Sequence, residues 1–122
     1  MLLNKVLLVE DDDLSCFMME EMLEELGLPF EVARNGQDCV EMLTERPHEF
    51  NSVLMDIHMP VKTGVEALAE IRSAPNDPPR DLYVVAVTAD SAWHSESVAK
   101  AQGFNTVLPK PVSMSGLEKV LT

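Results

Sequence analysis

The chain alternates short apolar runs with longer amphipathic segments, and this alternation constrains its fold more than any other feature. The short runs contain mostly Val, Leu and Ala, which predicts strands over residues 6–9, 30–33, 52–55, 82–87 and 105–108. The segments that follow them have helical spacing, and most end near Gly or Pro, which predicts helices over 14–26, 37–45, 65–72, 92–102 and 113–121. Five such pairs indicate an α/β fold, in which a parallel sheet carries helices on both faces.

Length and charge exclude several classes of function. At 122 residues the chain has the size of one domain with a single core, and we expect residues 1–122 to form that domain. The formal charge of −12 disfavours direct binding to DNA or RNA, because phosphate contacts need Lys and Arg. The apolar runs are too short to insert into a membrane, and no signal peptide is recognisable, so we expect a cytoplasmic protein. Cys16 and Cys39 lack the spacing of a zinc or dithiol site and are expected to be reduced thiols on helices.

Chemically reactive side chains stand at the ends of the predicted strands. Glu10 and Asp11 follow the first strand and Asp56 follows the third. Thr88 follows the fourth, and Lys110 follows the fifth. Because the carboxyl ends of parallel strands share one edge of the sheet, these side chains should meet where open α/β sheets bind their ligands.

The chemistry of this group points to a metal ion and a phosphoryl group. Three carboxylates, on Glu10, Asp11 and Asp56, would repel one another unless a cation is bound between them. Oxygen ligands without a histidine or cysteine side chain favour Mg²⁺, which retains several waters and binds substrate phosphate. The Lys110 ammonium and the Thr88 hydroxyl suit a phosphoryl group under attack by a carboxylate. Asp56 is the predicted nucleophile, and an aspartyl phosphate is the predicted product.

Four segments resemble a known family. They read Val-Glu-Asp-Asp at 9–12, Met-Asp-Ile-His-Met-Pro at 55–60, Val-Thr-Ala-Asp at 87–90 and Leu-Pro-Lys-Pro at 108–111. In this order and spacing they resemble the receiver domain of two-component response regulators over nearly the whole chain. The choice of residues is most similar to receivers of phosphorelays and hybrid histidine kinases. The resemblance implies a flavodoxin-like, doubly wound (βα)5 sandwich with strand order 2-1-3-4-5.

The resemblance also implies roles for individual residues. Asp56 would accept a phosphoryl group from the phosphohistidine of a histidine kinase or a histidine phosphotransfer protein. Glu10 and Asp11 would position Mg²⁺ together with Asp56, and the backbone carbonyl of His58 would be a further ligand. The side chains of His58 and His94 are expected to face solvent. The chain would then act as a switch that changes its contacts with a downstream protein, and not as an enzyme beyond its own phosphorylation and dephosphorylation.

The remaining roles concern the transmission of the signal. By resemblance, Thr88 contacts the phosphoryl group, and Lys110 pairs with Asp56 and then with the phosphate. Receivers usually carry an aromatic residue or His three positions before this lysine, whereas this chain has Val107. Coupling through an aromatic ring is therefore expected to be absent or reduced to a small packing change. Trp93 is expected early in the fourth helix, either in the core or on an output surface.

The first predicted helix has an apolar face and an acidic one. Its helical spacing predicts that the buried residues are Leu14, Met18, Met19, Met22 and Leu26. Asp12 or Asp13 is expected to cap its N-terminus. Phe17 lies among glutamates and should be exposed, either as an isolated apolar residue or as a docking contact for a histidine phosphotransfer bundle.

Two other functions are compatible with the sequence. The first is a receiver-like interaction module that works without phosphorylation, which Val107 makes plausible. The second is a Mg²⁺-dependent phosphatase of the haloacid dehalogenase type with Asp56 as nucleophile. Those enzymes need a second aspartate two residues after the nucleophile, where this chain has His58.

Overall fold

The predicted alternation of strands and helices is present in the structure, a computed structural model that describes residues 5–59 and 61–121. The strands are β1 (Lys5–Val9), β2 (Phe30–Ala33), β3 (Phe50–Asp56), β4 (Tyr83–Thr88) and β5 (Thr106–Pro109). The helices are α1 (Asp13–Glu25), α2 (Gly36–Glu45), α3 (Gly64–Arg72), α4 (Glu96–Gln102) and α5 (Met114–Leu121). Most boundaries lie within two residues of their predicted positions. Among the described helices, none combines the length and the apolar character that crossing a membrane requires.

The strands form one parallel sheet in the order β2-β1-β3-β4-β5. The flavodoxin-like, doubly wound fold and its strand order are therefore confirmed. Val9 at the end of β1 is in register with Ala33 of β2 and with Met55 of β3, while Asp56 is in register with Val87 of β4. The carboxyl ends of the strands thus lie at one edge, with the reversal of strand order between β1 and β3 at the centre of that edge.

Each face of the sheet carries its own hydrophobic layer, because successive side chains of a strand point to opposite faces. Along β1, Leu7 and Val9 belong to the layer under α2, α3 and α4, whereas Val6 and Leu8 belong to the layer under α1 and α5. The two cysteines are buried and unpaired thiols, one in each layer, as expected. Both faces are therefore covered, which explains the continuous apolar runs of the central strands.

The buried face of α1 agrees only in part with the predicted one, since Met19 is the one residue common to both sets of buried residues. Its buried residues are Cys16, Met19 and Leu23, whereas Leu14 is 67% exposed and Met18 is 45% exposed. Apolar residues surround most of this helix, so hydrophobicity alone does not select a face, and packing on the sheet does. The other expectations for this helix are confirmed. The Asp12 side chain accepts a hydrogen bond from the Ser15 N–H at 2.8 Å, and Phe17 is 60% exposed.

The fourth helix begins later than predicted. Residues Ser91–Trp93 form a separate 3₁₀ turn, in which the Asp90 side chain accepts a hydrogen bond from the Ala92 N–H. Ser95 then has extended backbone, and α4 itself starts at Glu96. Trp93 is half-buried and packs edge-on against Phe104 with the ring centroids 6.0 Å apart. Of the two expectations for Trp93, the structure therefore favours a place in the core.

Candidate functional site

The carboxyl edge of the sheet brings four of the predicted site residues into one cluster. Glu10 and Asp11 follow β1, Asp56 is the last residue of β3, and Lys110 follows β5. One carboxylate oxygen from each of the three acidic residues lies within 4.8 Å of the other two. Glu10 and Asp56 are 2% and 7% exposed, and Asp11 is half-buried. Three carboxylates on one edge, two of them buried, suit a small hard cation that takes oxygen ligands, as Mg²⁺ does.

Among the described residues, Lys110 is the one cation that forms an ion pair with the carboxylates of this cluster. Its Nζ lies 2.8 Å from Glu10 Oε1 and 3.7 Å from Asp56 Oδ2. Lys110 therefore pairs with Asp56, as the resemblance implies, and makes a shorter contact with Glu10. Burial by itself lowers the pKa of Lys110, but the hydrogen bond to Glu10 and the charge of Asp56 outweigh it, so the pKa is raised overall. The ammonium is thus charged at neutral pH and holds two acidic side chains together.

The electrostatics of Asp56 are unfavourable in the absence of a cation. Burial and then the neighbouring Glu10 carboxyl raise the pKa of Asp56 to about 7, against the opposing effect of Lys110. The His58 backbone N–H also donates to Asp56 Oδ1 at 3.3 Å, which favours the charged carboxylate. A second positive charge at this edge would therefore complete the neutralisation that Lys110 begins.

The backbone that follows Asp56 is packed against the start of α3. A Cβ atom on Gly64 would lie 2.5 Å from the Asp56 carbonyl oxygen, so only glycine fits at this position. The Gly64 N–H donates to the Ile57 carbonyl at 2.9 Å. The imidazole of His58 is exposed, as expected, and its Nε2 lies 3.4 Å from Asp90 Oδ2. The side chain of His58 thus points to the β4–α4 loop, and its carbonyl remains a predicted metal ligand.

Thr88 is 1% exposed at the end of β4, one residue beyond the partner of Asp56 in the sheet register. Its Oγ1 accepts a hydrogen bond from the Asp90 N–H at 3.0 Å. Since Oγ1 acts there as an acceptor, the hydroxyl hydrogen is available to a further acceptor at the edge. The Thr88 carbonyl accepts a hydrogen bond from the Lys110 N–H at 2.9 Å, which connects β4 to the residue that bears the ammonium.

Two residues beside the site were not assigned there from the sequence. Arg34 follows β2 and donates hydrogen bonds to the backbone carbonyls of Glu10 and Asp11. The rule that identified the other residues, a polar side chain just after a strand, would have identified Arg34 as well. His94 is exposed, as expected, but its Nε2 lies 3.1 Å from the Thr88 carbonyl oxygen. No local pattern signals this contact, because it depends on the 3₁₀ turn before α4.

An apolar groove of about 280 Å³ opens beside the cluster, between α1 and the loop after β5. Its lining residues are Ser15, Met18, Met19, Met22, Ala89, Lys110, Pro111 and Val112. The exposed side chains of Leu14 and Phe17 lie on the same helix. On the other side of β5, Val107 is half-buried and packs against the layer under α4. The position at which receivers usually carry a ring is thus occupied by a small side chain in the core.

Comparison with known sequences gives a family match over almost the whole chain. Residues 6–122 match the response regulator receiver domain family. The peroxide stress-activated histidine kinase mak1 of Schizosaccharomyces pombe is 34% identical over 120 residues, a region that covers 96% of this chain and 7% of that protein. The chain therefore spans only a small part of the length of this relative.

Two solved structures of similar fold extend the comparison. The receiver domain of sensor histidine kinase PA1611 from Pseudomonas aeruginosa PAO1, with a magnesium ion in its active-site cleft, superposes with a TM-score of 0.82 at 29% identity. The match covers 98% of this chain and 94% of that one. The receiver domain of Ssk1 from Saccharomyces cerevisiae, crystallised with the histidine phosphotransfer protein Ypd1, has a TM-score of 0.82 at 27% identity, with coverage of 98% and 87%.

Proposed function

The chain belongs to the response regulator receiver domain family, and from this premise we propose that Asp56 is its phosphoacceptor and Mg²⁺ its cofactor. The observation that supports this most strongly is the position of the Asp56 carboxylate. It is buried at the end of β3. The Lys110 ammonium lies 3.7 Å from one of its oxygens, and one carboxylate oxygen each from Glu10 and Asp11 lies within 4.8 Å. A carboxylate in this setting is oriented, partly desolvated and close to the charges that phosphoryl transfer requires.

The residues that would hold Mg²⁺ are Glu10, Asp11 and Asp56, together with the backbone carbonyl of His58. When bound, the ion supplies positive charge to the carboxylates and to the oxygens of the phosphoryl group. An Asp56 oxygen attacks the phosphorus of the donor phosphohistidine in line. The P–N bond breaks, and the departing imidazole nitrogen keeps the electron pair and takes up a proton.

Two further side chains act on the transferred phosphoryl group. The Lys110 ammonium moves from its contact with Glu10 and Asp56 to a phosphoryl oxygen, so the positive charge stays at the edge as negative charge arrives. The Thr88 hydroxyl hydrogen donates to a second phosphoryl oxygen, which draws the β4–α4 loop toward Asp56. The chain is a switch that catalyses its own phosphorylation and slow dephosphorylation, and its output is a change in protein contacts.

The donor that we propose is a histidine kinase or a histidine phosphotransfer protein, docked on the groove beside α1. The groove reaches Lys110, so a helix seated there would bring a phosphohistidine to the edge where Asp56 lies. Leu14 and Phe17 are exposed on the same helix and would supply further apolar contact area. The complex of the yeast Ssk1 receiver with Ypd1 supports this class of partner.

Two unpaired buried thiols, Cys16 and Cys39, support a cytoplasmic location.

Chemical phosphorylation followed by intact mass measurement tests the proposal. Incubation with Mg²⁺ and a small phosphodonor, such as acetyl phosphate, should add one phosphoryl group that is lost at alkaline pH. Asp56→Asn and omission of Mg²⁺ should each abolish the adduct, whereas Glu24→Gln, which changes an exposed carboxylate on α1, should retain it. An unmodified wild-type chain, or an adduct that survives Asp56→Asn, would refute the assignment.

Val107 favours a second candidate function, an interaction module whose partners do not respond to phosphorylation. Its side chain is small, half-buried and packed against the core, so no ring is available to move when Thr88 moves. A partner that binds the wild type and Asp56→Asn equally, with and without phosphodonor, would support this alternative. The phosphatase alternative lacks the aspartate that it needs two residues after the nucleophile, since His58 occupies that position and turns to Asp90. Sustained release of phosphate from a phosphomonoester would be needed to revive it.

A further inference from the structure

Arg34 connects the end of β2 to both residues that follow β1. Its Nε donates to the Glu10 carbonyl at 3.0 Å, and its Nη2 donates to the Asp11 carbonyl at 2.9 Å. The same Nη2 forms an ion pair with the Asp13 carboxylate. Three acceptors therefore surround one planar guanidinium, whose donors have a fixed geometry.

These bonds fix the backbone position of Glu10 and Asp11, the two expected metal ligands. The Glu10 N–H donates to the Ala33 carbonyl at 3.0 Å, so consecutive residues at the end of β2 hold both the N–H and the carbonyl of Glu10. For Asp11, the bond from Arg34 is the only hydrogen bond formed among the described residues. The direction in which the Asp11 carboxylate leaves the backbone thus depends on Arg34 more than on any other side chain.

We propose that Arg34 is a positioning residue of the metal site, which orients Glu10 and Asp11 through their backbone carbonyls so that both carboxylates face the cation. The inference rests on the proposed Mg²⁺ site and adds to it a residue that touches neither the metal nor the phosphoryl group. Groups that orient metal ligands from outside the coordination shell contribute measurably to affinity, because a ligand that must be ordered on binding binds more weakly.

The positive charge of Arg34 and its hydrogen bonds to the two carbonyls have opposite effects on Mg²⁺ affinity, so the two contributions can be separated. A guanidinium beside the carboxylate cluster repels a second cation, so removal of the charge alone would strengthen Mg²⁺ binding. Loss of the two carbonyl bonds would weaken it. Arg34→Lys is therefore the informative variant, because lysine keeps the charge and cannot reproduce the paired donors of the guanidinium.

The experiment measures Mg²⁺ affinity by isothermal titration calorimetry and thermal stability without Mg²⁺ for the same proteins. Relative to wild type, Arg34→Lys should raise the Mg²⁺ dissociation constant about tenfold, the lower end of the range for residues that orient metal ligands. Asp13→Asn leaves both carbonyl bonds in place and should change it by less than about twofold. The matched control is Arg46→Lys, since Arg46 makes a paired contact with Glu31 away from the metal cluster. It should lower the melting temperature without changing Mg²⁺ affinity.

A kinetic readout distinguishes positioning from a general loss of activity. With a small phosphodonor, Arg34→Lys should raise the Mg²⁺ concentration for half-maximal phosphorylation about tenfold and leave the maximal rate within about twofold, because saturating Mg²⁺ restores the ligand geometry.

The outcomes separate this inference from the proposed function. No Mg²⁺ binding by the wild type would refute the proposed function itself. Normal Mg²⁺ binding by the wild type with equal affinity in Arg34→Lys would overturn the positioning role alone. An equal loss of affinity in Asp13→Asn would likewise overturn it, because the ion pair and not the carbonyl bonds would then be responsible.

Discussion

Replacement of Asp56 by asparagine should stabilise the folded chain at neutral and alkaline pH. Burial and the Glu10 carboxyl raise the pKa of Asp56 from 3.8 to about 7, so the folded state disfavours the charged form. Between these two values the folded protein binds more protons than the unfolded chain, and the contribution of this group to stability falls as pH rises. Asparagine carries no charge and avoids this loss.

The magnitude follows from the pKa of Asp56 in the folded and unfolded chain. A tenfold change in proton affinity corresponds to about 1.4 kcal/mol, so the charge of Asp56 costs about 4 kcal/mol at pH 8, about 2 kcal/mol at pH 5 and under about 1 kcal/mol at pH 4. The difference in free energy of unfolding between Asp56→Asn and wild type will be smaller if the amide packs less well than the acid. The change of this difference with pH does not depend on packing. The stability advantage of Asp56→Asn should therefore grow by about 2 kcal/mol between pH 5 and pH 8.

Urea denaturation at both pH values, without Mg²⁺, measures this change directly. Glu24→Gln, at an exposed position on α1, serves as the control and should show no such growth. Saturating Mg²⁺ should reduce the advantage at pH 8, because it binds the wild type more tightly and contributes about 2.7 kcal/mol at a hundred times its dissociation constant. An Asp56→Asn chain that is less stable than wild type at pH 8, or an advantage equal at both pH values, would refute the reasoning.

Three further predictions concern neighbouring residues. Lys110→Gln leaves buried Glu10 without its cation, and denaturation at pH 7 should show a free energy of unfolding lower by about 2 to 4 kcal/mol. Unchanged stability would mean that the ion pair of Lys110 and Glu10 contributes nothing. Gly64→Ala places a Cβ atom 2.5 Å from the Asp56 carbonyl oxygen. This overpacking should lower the free energy of unfolding by about 1 to 3 kcal/mol and slow phosphorylation. An alanine variant with the rate and stability of the wild type would contradict the close packing. Phe17→Ala should leave the melting temperature within about 2 °C of wild type, because this side chain is exposed. It should weaken binding to a cognate histidine phosphotransfer protein about tenfold. A variant that binds as tightly as wild type would show that Phe17 is not part of the docking surface.

Much of the candidate site could be identified from strand ends alone. Because a parallel sheet aligns the ends of its strands, the sequence predicts that Glu10, Asp56 and Thr88 lie at one edge, and the observed register agrees. Arg34 also follows a strand, so the same rule places it at this edge, but the rule does not predict that its donors reach the carbonyls of Glu10 and Asp11. The pairing of Lys110 with Asp56 came from the resemblance and is present, whereas the shorter contact of Lys110 with Glu10 was not predicted.

The predictions that failed concern helices and not strands. Apolar residues lie around most of α1, so the helical period identified Met19 as buried but not Cys16 and Leu23. The start of α4 was placed too early because residues 92–95 have no strong helix breaker, while the cap from Asp90 and the contact of Trp93 with Phe104 hold a separate turn there. Both features depend on neighbours that are distant in the sequence.

The sequence by itself determined the layered α/β architecture and the chemical groups along the carboxyl edge. Strand periodicity, helix spacing and the residue that follows each strand are local properties, and a parallel arrangement converts them into a shared edge. Only the tertiary structure decided how those groups pair. Lys110 and Glu10 are 100 residues apart in the chain, and their 2.8 Å contact, like the bonds from Arg34 to the carbonyls of Glu10 and Asp11, exists only once β1, β2 and β5 occupy one sheet. Hydrogen bonds and charge interactions depend on distances of a few ångströms, which local sequence patterns do not specify.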